Sequence, residues 1–203
     1  MLDFKSQFVE MFGSIEKQIE LKEYITSLDA GKSLAGDEKC INKVLKTGSV
    51  SYDYFDEEEI KNLPVDYIPK EEHKVNIGDV IISRMNTTEL VGAVGYVWKV
   101  KDNVYIPDRL WKANLKNETN PIFLWQLLIQ KDMKEQIQRI CSGTSGSMKN
   151  ISKEKFLKLK VKDVPIELQN EFAEFVKQIN KQKFESEIEL TKIQKNIFYK
   201  WGR

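Results

Sequence analysis

The chain is poor in the residues that carry most protein chemistry. Among its 203 residues are two cysteines, Cys40 and Cys141, and one histidine, His73. Two cysteines a hundred residues apart exclude a disulfide scaffold and any four-cysteine zinc site, and one histidine excludes histidine-rich metal chemistry. No apolar run approaches the roughly 18 residues of a membrane span, and the opening MLDFKSQFVE lacks a signal-peptide layout. No phosphate-cradling P-loop, no G-x-G-x-x-G and no Asn/Asp-Pro-Pro-aromatic motif occurs. A charge excess is lacking too: 32 Lys and Arg stand against 31 Asp and Glu, so overall basicity does not advertise nucleic acid. The expectation is a soluble, cytoplasmic protein of a reducing compartment with few catalytic groups. Its 41% apolar residues suffice for a core.

What is present is unevenly spread. Asp53 to Glu59 holds five acids and no base. Lys131 to Lys160 holds eight bases against three acids, and Arg84 to Lys116 six against three. A near-neutral chain patterned in this way can present one positive and one negative face, or only a solvated surface.

Phe4, Phe8 and Met11 or Phe12 recur at helical spacing before Gly13, which predicts a short helix that must pack on something. From about Ile15 to Val164 the chain reads as mixed and mostly β. Val44-Leu45, Val80 to Ser83 and Val91 to Val97 are short apolar runs bounded by turn residues. After Pro121, the residues Phe123, Leu124, Leu127, Leu128, Met133, Ile137 and Ile140 approximate one helical stripe that stops at the loop Ser142 to Ser147. From Pro165 onward no proline or glycine occurs until Gly202. There Leu168, Phe172, Phe175 and Ile179 step by 4, 3 and 4. Gln182 and Ser186 continue the seam as polar members, and Leu190, Ile193 and Ile197 resume it. Some 35 helical residues would span roughly 50 Å, more than a domain of this size covers, so the far end calls for a partner helix.

The enzymatic readings are thin. Asp66, Glu72 and Lys74 faintly echo a metal-dependent nuclease pattern, in a stretch where such triplets arise by chance. His73, flanked by charge, is expected to be exposed and has no partner for general-base work. Cys141, at a helix end beside glycine, could be an activated thiol.

Three polar clusters carry more. Ser142 to Ser147, followed by Met148 to Lys153, offers backbone amides, hydroxyls, lysine and asparagine, which grip a DNA phosphate or base edge. It reads equally as a turn whose Ser152 caps the next segment, with Lys155 on its surface. Ser83 to Thr88 follows a buried strand and carries Arg84 and Asn86, side chains that can read guanine and adenine. Pro107 to Lys112 is the third. Tyr52, Tyr54 and Trp111 are edge aromatics or stacking platforms.

Taken together, the layout resembles one half of the specificity subunit of type I restriction–modification systems. The segment GTSGSMKNISKEKFLKLKVKDVPIELQNEF (Gly143 to Phe172) is similar to that family's junction of loop, N-I-S, L-x-L-x-V, proline and leucine-glutamine helix. IGDVIISRMNTTELVGAVGYV (Ile77 to Val97) is similar to its G-D-x-L-I-S-R strand. SQFVEMFGS (Ser6 to Ser14) and NIFYKWGR (Asn196 to Arg203) look like ends of its conserved helices.

The resemblance implies an α+β fold: a mixed, mostly-β target-recognition domain at 14–164, after a helix stub at 1–13, followed by a long coiled-coil helix at 165–203. It implies a non-catalytic DNA-specificity subunit that needs no cofactor of its own, with S-adenosylmethionine and ATP on partner subunits. Expected partners are double-stranded DNA, a second copy of the chain, the methyltransferase subunit and the restriction subunit. A full specificity subunit has two recognition domains and two conserved helices, so a half-length chain is expected to act as a homodimer reading an interrupted palindrome. The expected DNA contacts are Arg84, Asn86, Thr87, Arg109, Lys112, Ser145, Lys149, Asn150 and Lys153. The expected dimer seam is Leu168, Phe172, Phe175, Ile179, Gln182, Ser186, Leu190, Ile193 and Ile197. A decoy that competes with full-length specificity subunits and a small nuclease are the alternatives.

Overall fold

The computed structural model describes residues 4–143 and 148–201, with side chains described as far as Ser186. The chain opens with helix α1 (Phe4–Phe12), closed where the Gly13 amide bonds back to the Val9 carbonyl at 2.7 Å. Five strands follow before the first polar cluster: β1 (Gln18–Glu20), β2 (Ile25–Asp29), β3 (Lys43–Leu45), β4 (Ile60–Asn62) and β5 (Val80–Ser83). Next come β6 (Met85–Asn86), β7 (Val94–Tyr96), β8 (Val104–Tyr105) and β9 (Leu110–Leu115). Helices α2 (Pro121–Leu128) and α3 (Lys131–Ile140), strand β10 (Lys149–Asn150), helix α4 (Lys153–Leu157), strand β11 (Lys160–Lys162) and helix α5 (Ile166–Trp201) complete it. This is the expected mixed, mostly-β body followed by a long helix.

A four-stranded antiparallel sheet in the order β2-β9-β5-β7 forms the centre. Its middle strands are buried on both faces: Val80 to Ser83 and Leu110 to Ala113 are buried residue after residue, because helices cover one side and a second sheet the other. That second sheet, β4-β3-β8, includes a parallel pairing of β3 with β8. Two small antiparallel ladders, β1 with β11 and β6 with β10, tie distant segments together.

The single helical stripe expected after Pro121 is broken in two. Asn120 caps α2, its side-chain oxygen accepting from the Ile122 and Phe123 amides at 3.0 and 3.3 Å. The helix then stops at Ile129, and Gln130 turns extended before α3 begins. α2 is buried on nearly every side whereas α3 buries only Met133 and Ile137, so two helices with different surroundings had merged into one apparent period.

The short α1 finds its support within the chain. Phe8 and Phe12 pack edge to face at 4.8 Å, Phe8 meets Phe172 of α5 at 5.4 Å, and Phe12 meets Phe123 of α2 at 5.5 Å. Phe172, expected in the dimer seam, is therefore fully enclosed in the chain's own core. The inward face of α5 is Gln169, Phe172, Ala173 and Val176. Leu168 is exposed, Phe175 and Ile179 are half-buried, and Gln182 and Ser186 are exposed. The side chains of Leu190, Ile193 and Ile197 lie outside the described residues.

Two polar hubs fix the direction in which α5 leaves the body. The Tyr24 hydroxyl accepts from the Val164 amide at 2.8 Å and donates to the Lys162 carbonyl at 2.9 Å. Burial pushes the Tyr24 pKa up to about 12. Gln169 donates to the Val164 carbonyl at 2.7 Å and accepts from the Asn120 amide at 2.9 Å. Asn120 also donates to Asn170 at 2.8 Å, so the start of α5 is locked to the start of α2.

Candidate nucleic-acid interface

Strand β5 ends at Ser83, and at the next residue three distant segments meet. The Arg84 amide donates to the Arg109 carbonyl at 3.1 Å, and the Arg84 carbonyl accepts from the Ile151 amide at 3.0 Å. β6 continues from there and pairs with β10 in the register Asn86↔Lys149 and Met85↔Asn150. The backbone of Arg84 thus joins its own polar cluster to the other two, through residues 25 and 67 positions further along the chain. None of the spacings could announce this, since ladder pairing is a long-range choice.

Local hydrogen bonds shape each arm. The Asn86 amide nitrogen donates to the Ser83 hydroxyl at 3.3 Å, and its oxygen accepts from the Thr87 amide at 2.9 Å. The Thr87 carbonyl accepts from Leu90 and Val91 and closes the turn. On the other arm Ser142 and Asn150 exchange backbone bonds at 2.9 and 3.0 Å as an isolated antiparallel bridge. Gly143 sits there at φ +129°, where a Cβ would come within 2.6 Å of the Met148 carbonyl, so only glycine fits. Lys149 folds back to donate to the Gly143 carbonyl at 2.7 Å. Ser152 caps α4 by accepting from the Lys155 amide at 3.2 Å, so the capping reading of this segment is present beside the polar one.

The expected contacts divide accordingly. Arg84, Asn86, Lys149 and Asn150 are gathered at the β6–β10 ladder and half-exposed, with Thr87 exposed beside them. Arg109 is exposed and joined to them through its carbonyl. Lys153 is exposed, although its ammonium donates to the Leu28 carbonyl. Lys112 is the exception: it is 8% exposed and its ammonium donates to the Lys74 carbonyl at 2.8 Å, which makes it part of the interior. Ser145 lies outside the described residues. Arg84 Nε and Asn150 Oδ1 are buried without a hydrogen-bond partner among the described residues.

The other chemical candidates are dispersed. Glu72 pairs with Lys70 at 3.2 Å and lies 3.6 Å from His73, while Lys74 pairs with Glu71 at 3.5 Å, and Asp66 is exposed. His73 is not the exposed residue its flanking charges suggest: its side chain is 15% exposed, and its carbonyl accepts from the Ile106 amide. Cys141 donates to the Ile137 carbonyl at 3.1 Å, and burial pushes its thiol pKa up, the opposite of activation. Trp111 is fully buried, whereas Tyr52 and Tyr54 are exposed. Among the described residues no group of three or more His, Cys, Asp or Glu could hold a metal, and no helix is long and apolar enough to cross a membrane.

A family model described as the type I restriction modification DNA specificity domain matches residues 19–196. The chain belongs to this family. It is similar to the EcoKI specificity subunit of Escherichia coli strain K12, 25% identical over 169 residues that make 82% of this chain and 36% of the relative. It is also similar to the EcoEI specificity subunit of Escherichia coli, 28% identical over 138 residues, 65% of this chain and 23% of the relative. The chain therefore matches about a third or less of the length of these specificity subunits. Its fold matches the HsdS subunit from Thermoanaerobacter tengcongensis with a TM-score of 0.52 at 13% identity, covering 88% of this chain and 42% of that one. A chain from work on complex assembly and conformational transition of the type I R-M system matches with a TM-score of 0.59 at 16% identity, covering 97% of this chain and 50% of that one.

Within the specificity family, sequence reasoning missed the residues that aim the long helix, Tyr24, Asn120 and Gln169. Asn120-Pro121 is a legible helix start, but its tie to Gln169 is not, because a glutamine inside an apolar stripe reads as a surface residue.

Proposed function

We propose that the chain is a non-catalytic DNA-recognition subunit of a type I restriction–modification complex. Residues 14–164 form the recognition domain, and residues 165–203 form a helix that pairs with a second copy and docks methyltransferase subunits. The observation that carries the reading is the convergence on Arg84 of three segments rich in guanidinium, amide and ammonium groups, the side chains that grip phosphates and read base edges. Arg84, Asn86 and Asn150 would face bases, while Thr87, Arg109, Lys149 and Lys153 would hold the backbone. Chemistry needing S-adenosylmethionine or ATP belongs to partner subunits.

The exposed stretch of α5 from Lys181 to Ser186 supports the homodimer. Every residue from Lys181 to Ser186 is exposed, including Phe184 at 64%, although the Lys183 ammonium lies 4.9 Å from the Phe4 ring centroid. An isologous pair of such helices, with Leu190, Ile193 and Ile197 on the seam, would set two recognition domains in inverted orientation. A helix of roughly 50 Å would separate them by on the order of 15 base pairs at about 3.4 Å per pair. Selection of bound duplexes from a random pool, with and without the methyltransferase subunit, tests this. Two identical half-sites in inverted orientation around an unspecified gap are expected, and a single continuous asymmetric site would refute the two-fold reader.

A further inference from the structure

Between β3 and β4, Tyr52 and Asp53 adopt φ values of +60° and +65° in succession. Residues with side chains avoid that region unless their surroundings impose it, and imposed strain collects at functional positions. The surroundings here are specific. The Asp53 carboxylate accepts from the Val94 amide at 3.1 Å and pairs with Lys134, and the Asp53 carbonyl accepts from Trp125 Nε1 at 3.0 Å. Lys134 also donates to the Gly92 carbonyl at 2.8 Å. It is a mostly enclosed lysine whose pKa burial lowers and Asp53 raises. These ties fix the backbone at Asp53, next to Tyr52, whose side chain is 85% exposed.

The clamp belongs to the same edge as the polar clusters. The Gly92 amide donates to the Ser83 carbonyl at 2.7 Å, next to Arg84. Tyr52 also shares a cavity of about 310 Å³ with Glu89 and Leu90, in the turn that begins at Asn86 and Thr87. Four of the five acids that follow Tyr52 have a lysine partner. Asp53 pairs with Lys134, Glu57 with Lys99, Glu58 with Lys101 and Glu59 with Lys46, while Asp56 accepts from the Glu58 amide.

We propose that Tyr52 is a further DNA-contacting residue, an aromatic ring presented at the rim of the Arg84–Asn86 cluster to contact a base edge or thymine methyl at the end of the half-site. This rests on the DNA-recognition reading above. The experiment uses the full chain, with its methyltransferase subunit, and the duplex that the unsubstituted protein selects from a random pool. Tyr52→Phe keeps the ring and should bind within about twofold of the unsubstituted protein. Tyr52→Asn should bind roughly tenfold or more weakly, the scale of one lost base contact, with the salt dependence unchanged because no phosphate contact is removed. Asparagine suits a positive φ, so the same variant should melt about 2–4 °C higher. A variant that is more stable yet binds more weakly is the signature of a functional side chain. Unchanged affinity of Tyr52→Asn for the selected duplex would overturn the inference. So would unchanged DNA binding with lost binding of the methyltransferase subunit, which would make the tyrosine a protein contact. If the unsubstituted protein selects no duplex at all, the DNA-recognition reading itself fails.

Discussion

Arg84 and Lys149 sit on neighbouring segments of one small ladder but are expected to answer differently to substitution. Arg84→Ala should relax the preference at one base position by about 1–3 kcal/mol, measured by titrating the selected duplex against single-base variants. Lys149→Ala should weaken selected and scrambled duplexes alike and lower the salt slope by about one. Lys112→Ala should leave DNA binding unchanged but cost about 1–3 kcal/mol in denaturant unfolding, since it removes the donor that satisfies the Lys74 carbonyl. The polar character of the three clusters was legible in the sequence, because arginine, asparagine and lysine recur beside turn residues there, although a solvated or capping role reads the same way. The role of Lys112 was not. It lies on β9, where Leu110 to Ala113 are all buried, and a strand covered on both faces has no alternation to mark which residue points inward.

At the scale of the element, α5 is both part of the body and an extension from it. Phe172 packs against Phe8 and Phe12, so Phe172→Ala should destabilise the fold by about 3–5 kcal/mol, read from its denaturation midpoint. The 4-3-4 spacing found the helix and found Phe172, yet assigned that residue to a partner. The true inward face includes a small alanine and a hydrogen-bonded glutamine, residues that a search for large apolar side chains passes over. Tyr24 anchors the same junction and gives it a pH signature. Its folded pKa of about 12 lies above the ordinary value of 10.0, so the folded state holds the phenol proton more tightly. Stability is therefore full below pH 10 and falls as the pH rises from about 10 toward 12. Tyr96 and Tyr54, also raised by burial, act in the same sense. Tyr24→Phe should make the alkaline fall in melting temperature shallower, at the cost of leaving the Val164 amide without its acceptor.

For the whole molecule, the start of α5 is enclosed by the body while Lys181 to Ser186 are exposed. The mostly-β body and the long helix could be read in advance, because turn residues crowd the first and are missing from the second. The assembly of the body could not, since the sheet order β2-β9-β5-β7 and the joining of residues 84, 109 and 151 are long-range pairings. The account stands on the helix being a spacer that acts in pairs. Light scattering on the purified full chain tests that most directly. A mass of about 47 kDa, twice the 23.7 kDa of one chain, is the predicted result. A uniform species at the mass of one chain, unchanged on adding the methyltransferase subunit and selected DNA, would contradict it.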